Sequence, residues 1–409
     1  MGLQVTSSLN PVSGMEPSRP AALERLEVFL PQVPRYGRER PFDRPGDQAV
    51  SSLSPYTRLR LLQEKEVVRR LMEELSFRQA GPFIRQVCWR TYWKGYLELR
   101  PDIWRRYQAF VADPRRFTSE FESERLARAL EGRTGIECFD AWVRQLTRTG
   151  WLHNHARMWF ASIWIFTLKL PWQLGAAFFL KHLLDGDPAS NTLSWRWVAG
   201  LHTPGKIYLA REANIRTYTR GQFFPEGQLA AEGRPVESDG DFPAGQLPST
   251  TAINNVHFPS LSSCPAGLLV TAEDLTPEIG ELGETPFSSI CSLWPEDMAE
   301  AIGASERVRA FQQGAFADTA SRLALHWNGS LLDCREAVIP CVGKASSTHV
   351  GRRERMRVYA GTVREWVPSV VTWARNENLK SVWMLEPPVG PWRDVLAQLG
   401  GELDAHGIR

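Results

Sequence analysis

WLHNHARMWFASIWIFTLKLPWQLGAAFFLKHLLDGDPASNTLSWRW, residues 151–197, is the stretch on which the reading of this chain turns. Leu152 to Leu184 is apolar with helical period, yet it carries groups that an ordinary core helix does not need. Trp151, Asn154, His155 and Met158 recur at spacings of three and four residues, which places them on one helix face. The run stops at Asp185-Gly186-Asp187-Pro188, where Asp187 suits an N-cap and Pro188 the first position of a new helix. That helix carries Asn191 and ends near Trp195 and Trp197. A membrane span is a poor reading, because Arg157, Lys169, Lys181 and His182 interrupt the run too often for lipid. A plain tryptophan-rich core explains the aromatics but not Asn154, Arg157, Asp185, Asp187 and Asn191. These are costly to bury unless they pair with each other or with a polar ligand.

Upstream, Ser54 is a natural N-cap with Pro55 behind it, and the pattern predicts one helix from there to about Leu75. Ser51, Ser52, Leu53 and Ser54 therefore gather hydroxyls and backbone N–H groups at a helix N-terminus, where phosphate is favoured. Most such clusters are only caps. Farther on, Gln86, Trp89, Arg90 and Trp93 share a helical face with Lys94 close by. Aromatics beside cations suit an extruded base and its phosphates, although spacing alone favours an amphipathic core helix.

Length and charge frame these motifs. A chain of 409 residues suggests two to three domains, and 43% hydrophobic with 23% charged residues suits a soluble globular protein. The first thirty residues lack the order of a signal peptide, and a cytoplasmic location is expected. Six cysteines without a CxxC pair argue against a disulfide framework or a metal centre. The net charge of +2 conceals an asymmetry. Residues 81–225 hold 21 Lys+Arg against 12 Asp+Glu, while residues 226–409 hold 15 against 24. A basic half beside an acidic half suggests a polyanion partner for the first, with surface solubilisation as the plain alternative.

Trp-Leu-His-Asn-His-Ala-Arg-Met (151–158), Asp-Gly-Asp (185–187), Asn191 and Trp195-Arg-Trp197 together resemble the flavin-binding core of the photolyase/cryptochrome family. Gln-Val-Cys-Trp-Arg (86–90) and Thr134–Asp140 extend the resemblance over roughly residues 20–225. It implies noncovalent FAD held by the Ser51–Ser54 turn, Arg90, Asn154, Arg157, Asp185, Asp187 and Asn191, with Tyr36 or Arg38 near the upstream aromatic position. Arg157 with Asp185 or Asp187 would pair at the isoalloxazine, and Asn191 matches the place opposite its N5. Trp195 and Trp172 match the first two members of the family's electron relay. The third falls by spacing at Ser119, beside Phe117 and Phe121, so the relay is incomplete unless Trp159 or Trp164 replaces it. Gln86, Trp89, Arg90, Met158 and Trp197 match the lesion-contacting positions.

Departures bear on function. The family's usual Thr and Arg in the phosphate turn are Val50 and Ser52 here. Enzymes that split cyclobutane dimers usually carry Glu where this chain has Gln86, whereas Asn154 and Met158 follow the dimer-splitting pattern. The resemblance thus implies a deoxyribodipyrimidine photolyase-like lyase acting on damaged DNA. The rivals are a cryptochrome-like blue-light sensor without repair activity and, more distantly, a flavin-free helical DNA-binding protein.

The expected architecture is a mostly α FAD-binding domain followed by a smaller α/β domain. Residues 1–18 read as disordered, 19–225 as helical, 226–264 as a linker and 265–409 as the α/β unit. In that last unit, strand-length apolar runs at Gly267–Ala272, Val338–Val342 and Val382–Leu385 alternate with helical patterns at Glu306–Trp327, Met356–Asn376 and Trp392–Leu399. Alternation implies a parallel sheet with right-handed crossovers. No GxGxxG or P-loop is present in the sequence, which leaves its role, and any second antenna chromophore, open. A fragment ending near Gly240 is expected to keep flavin if the two parts fold independently.

Overall fold

The computed structural model describes residues 15–44, 49–113, 120–203, 205–237, 240, 265–280, 282–295, 303–328, 356–361 and 363–409. These residues fall into two compact units. The first comprises residues 23–55 and 64–240, and the second 16–22, 56–63 and 265–409.

The first unit is helical. Helix α1 (Arg19–Phe29) is shared, its residues 19–22 counting with the second unit, and it leads to α2 (Val33–Glu39) in the first. Helix α3 (Ser54–Arg58) is shared likewise, residues 56–58 counting with the second unit, while α4 (Glu64–Glu74) and the long α5 (Phe77–Glu98) lie in the first. Helices α6 (Asp102–Val111), α7 (Glu120–Leu130) and α8 (Glu137–Thr149) follow. Then come α9 (Asn154–Ser162), α10 (Trp172–His182), α11 (Pro188–Val198) and α12 (Glu212–Tyr218). The apolar run of residues 152–184 is thus two helices. A π-helical turn at Ile163–Thr167 and a left-handed Lys169 before Pro171 separate them. Asp187 caps α11 as expected: its Oδ1 accepts from the Ser190 backbone N–H at 2.7 Å, with Pro188 at the first position.

The helix expected from Ser54 to Leu75 is broken in the middle. Arg60 takes a left-handed φ of 54°, and residues 56–63 leave the helical unit for the second one. There Arg58 makes a bidentate pair with Glu273 at 3.0 and 2.8 Å, both side chains being almost fully buried. Arg60 pairs with Asp274 at 3.2 Å, and the Gln63 amide donates to the Thr276 hydroxyl at 3.0 Å. Leu59, Leu61 and Leu62 are wholly buried. Tertiary partners have overridden a good helical sequence.

The proposed linker also begins later than residue 226. Val236 N–H donates to the Ala199 carbonyl at 3.0 Å, and Ala230 N–H to the Thr167 hydroxyl at 3.1 Å. Residues 226–237 are therefore tied to the helical unit, while 238–239 and 241–264 lie outside the described residues. Of residues 1–18, read as disordered, 1–14 lie outside them too, whereas Ser18 is buried and its Oγ accepts from Ala21 N–H at 3.3 Å.

The second unit carries a parallel four-stranded sheet in the order β3-β2-β1-β4. Its strands are β1 (Ala266–Val270), β2 (Ser289–Pro295), β3 (Met356–Gly361) and β4 (Ser381–Trp383). Helices α13 (Glu306–Asn328), α14 (Val363–Asn376) and α15 (Pro391–Ala405) alternate with them. The helix expected over Met356–Asn376 therefore gives up its first six residues to β3, which pairs with β2 from Ile290↔Met356 onward. The strand expected at Val338–Val342 lies outside the described residues. No helix among those described is long and apolar enough to cross a membrane.

Candidate functional site

Four segments of the helical unit converge on two aspartates: residues 49–55, α5, the start of α9 and the cap of α11. Asp185 Oδ2 pairs with the Arg157 guanidinium at 3.0 Å. Arg157 is itself oriented by its Nε donating to the Leu152 carbonyl at 2.9 Å. Burial pushes the Asp185 carboxyl up, but Arg157, a hydrogen bond from Ser54 and the charge of Arg90 outweigh it. Asp185 is therefore held below the ordinary carboxylate range. Asp187 faces Arg90 at 3.3 Å and Lys94 at 3.9 Å, and Arg90 also donates to the Ser54 carbonyl at 3.4 Å. Arg90, read from the sequence as touching both cofactor and DNA, is thus turned onto the aspartate.

The serine turn is built as a polar pocket wall. Ser51 Oγ accepts from Leu53 N–H at 3.3 Å, Leu53 is buried, and Ser52 adopts a φ of 51°. Ser52 Oγ and Asp185 Oδ1 are buried with no hydrogen-bond partner among the described residues. Buried polar atoms are ordinarily satisfied, so this pair of orphans points to a polar ligand that supplies the missing partners. A dinucleotide with hydroxyls and phosphates fits it. Ser51–Ser54, Arg90, Arg157, Asp185 and Asp187 would hold such a group.

Asn191 is buried and donates from Nδ2 to the Ala176 carbonyl at 2.8 Å. Trp195 is buried with its ring edge-on to Phe179 at 5.1 Å and to Trp164 at 6.2 Å. A Cβ on Gly175 would sit 2.3 Å from the Trp195 ring, so only glycine lets α10 approach it. Trp172 stacks on Tyr107 at 6.0 Å, and Tyr107 on Trp104 at 5.1 Å. Those two partners were not foreseen. Ser119 and Phe117 lie outside the described residues, as does the Phe121 side chain. Trp159 instead stacks on His155 and Trp142.

At the start of α9, Asn154 is exposed and its Nδ2 lies 3.8 Å from Met158 Sδ. Gln86 is half-buried on α5, and Trp197 stacks on Tyr208 at 5.7 Å. Tyr36 packs among Phe29 and Phe83. Trp89 is 46% exposed, one residue from the inward-turned Arg90.

Histidines flank this site in neutral form. Burial, aided by the charges of His155 and Arg157, pushes His153 down to about 3, and burial lowers His182 to about 4. An unfolded chain takes these protons near pH 6.5, before the folded one does. The stability supplied by neutral His153 is intact above pH 6.5 and is lost as pH falls toward 3. His153 should lower stability by about 1.4 kcal/mol per pH unit over that window, and His182, which is more open to solvent, by less. Urea midpoints should therefore drop between pH 7 and 5, and less so in His153→Asn, which keeps an acceptor at the α9 cap. Identical slopes would show that other groups govern the acid limb.

Residues 83–224 match the model of the FAD binding domain of DNA photolyase. The chain is 28% identical over 239 residues to the deoxyribodipyrimidine photo-lyase of Vibrio cholerae, covering 58% of this chain and 47% of that one. It is 38% identical over 162 residues to the Streptomyces griseus enzyme of the same name, covering 39% and 34%. The crystal structure of a bacterial class III photolyase from Agrobacterium tumefaciens aligns at 26% identity and a TM-score of 0.42, covering 49% and 42%. Residues 83–224 of the helical unit are thus similar to the FAD binding domain of DNA photolyase, and the similarity to the curated photolyases spans 39–58% of this chain. The chain spans less than half the length of these curated relatives.

Proposed function

We propose that the protein is a flavin-dependent lyase that splits cyclobutane pyrimidine dimers in DNA under blue light. The observation that carries this reading lies on α5. Adjacent residues diverge there, Arg90 turning in to Asp187 while Trp89 stays 46% exposed. One helix thus anchors the cofactor and presents a ring on which a flipped base can stack. Reduced FAD, when bound, supplies the electron that opens the cyclobutane ring. The chain's own residues bind the lesion, exclude water and hold the cofactor polar groups. Trp89 stacks on the extruded dimer, with Gln86, Met158 and Trp197 as further lesion contacts and Asn154 beside Met158. Asn191 would lie beside the flavin, and Trp195 and Trp172 would serve as its electron donors.

Flipping a dimer costs a few kcal/mol, least where the duplex is already distorted. Phosphate contacts from the basic segment supply affinity that falls steeply with salt. Trp89→Ala should therefore reduce preference for damaged over undamaged duplex by roughly 1–3 kcal/mol. Arg90→Ala should instead deplete flavin, because its charge sits on Asp187. A thymine-dimer oligonucleotide under blue light with reductant tests the reading as a whole, by loss of the dimer. Gln86 favours a second reading, a cryptochrome-like light sensor. Equal affinity for damaged and undamaged DNA, with no dimer lost, would overturn the repair reading in favour of that alternative.

Trp195→Phe should slow light-driven bleaching of oxidised flavin without emptying the site. Unchanged bleaching in both Trp195→Phe and Trp172→Phe would show that another path carries the electrons.

A further inference from the structure

Trp89 is the first ring of a longer array. Along α5, Trp89, Tyr92, Trp93 and Tyr96 stand at spacings of three and four, and each ring meets at least two of the others. Trp89 stacks on Trp93 at 5.4 Å, and Tyr92 meets Trp89 edge-on at 5.2 Å and Trp93 at 5.1 Å. His202, from the loop after α11, closes the array against Trp93 at 4.9 Å and Tyr96 at 4.7 Å. Arg100 lies over the Tyr96 ring at 4.1 Å. Trp89 and Tyr92 are each 46% exposed. From Trp89 to Tyr96 the array runs about 10.5 Å along the helix.

A soluble protein seldom leaves contiguous large aromatics at its surface without a use. Residues 81–100 also carry four Arg and Lys against a single Glu. Aromatic faces interleaved with cations match a polyanion whose bases are available for stacking. In a duplex those faces are hidden inside the base stack, so only unpaired nucleotides can use the rings.

We propose that the Trp89–Tyr96 array with His202 is a platform for an unpaired DNA strand, extending past the single flipped lesion. It rests on the reading of this domain as DNA-binding. Its consequence is a preference for single-stranded over double-stranded DNA that does not depend on damage.

The test uses the full chain and fluorescence anisotropy, with labelled oligo(dT) and an undamaged duplex of equal length at one salt concentration. Wild type binds oligo(dT) more tightly than duplex. Tyr92→Ala and Tyr96→Ala each weaken oligo(dT) binding about 5- to 140-fold and leave duplex binding unchanged. Tyr96→Phe, which keeps the ring, retains wild-type affinity. Tyr92 is the more exposed position, so Tyr92→Ala decides the matter if Tyr96→Ala lowers the unfolding midpoint. Equal affinity of wild type for the two DNAs overturns the proposal, as does undiminished oligo(dT) binding in Tyr92→Ala. Dimer repair is scored separately on the same proteins. Repair without strand preference sinks the platform alone, and strand preference without repair sinks the repair reading alone.

Discussion

Asp185→Ala releases the flavin and lowers the unfolding midpoint by roughly 3–6 °C. Asp185 is buried, and Arg157 is its partner at 3.0 Å. Deleting one member of a buried pair typically costs about 3–5 kcal/mol, because the other charge is left uncompensated. The lower end applies here, since the Arg157 side chain keeps 22% exposure and water can partly solvate it. The loss of cofactor is separate from the loss of stability. Asp185 Oδ1 is one of the buried atoms that await a partner, and its removal deletes a ligand contact as well as the ion pair. Heat-released supernatant would show little FAD in Asp185→Ala and a full complement in the parent. Wild-type flavin content and midpoint in the variant would show that the pair is not the anchor.

A fragment ending at residue 240 should not fold as a soluble flavoprotein. The sequence suggested that it would, if the two units were independent. The second unit, however, takes residues 16–22 and 56–63 from the N-terminal part of the chain. Truncation strips Glu273, Asp274 and Thr276 from Arg58, Arg60 and Gln63. It also leaves Tyr56, Leu59, Leu61 and Leu62, each at most 1% exposed in the whole chain, without the unit they pack in. Fully burying one such side chain is worth about 1.5–3 kcal/mol, so the fragment forfeits several kcal/mol and gains an apolar patch. Aggregation of the fragment, and its rescue by co-expressing residues 245–409, would be the expected pair of results. A monomeric fragment with full flavin and an unchanged midpoint would show that residues 56–63 do not need the second unit.

What could be read from the residues alone follows from how local each signal is. Asp187-Pro188 announces a helix start within four residues, and the cap forms as expected. Asp185 and Arg157 are far apart in sequence, but an unpaired charge in an apolar run must find a partner, and these two find each other. The break at Arg60 had no local signal, because helical propensity there is good and the cause lies more than two hundred residues away. Strand β3 was hidden for a similar reason. Met356–Gly361 reads equally well as the first turns of α14, and only pairing with β2 decides it. The same holds for Tyr107 against Trp172 and for His202 against Tyr96, contacts that no spacing rule reaches.

The Arg58–Glu273 pair has a consequence for how the chain is made. Its members are 215 residues apart. At about 5–20 residues per second, roughly 10–40 s separate the synthesis of Arg58 from that of its partner. During that interval Leu59, Leu61 and Leu62 have emerged, while the unit that buries them does not yet exist. The helical unit can begin to close around a segment that must stay outside it. A ribosome-bound chain is therefore at its most aggregation-prone in the middle of its own synthesis, and dependence on a chaperone should peak there.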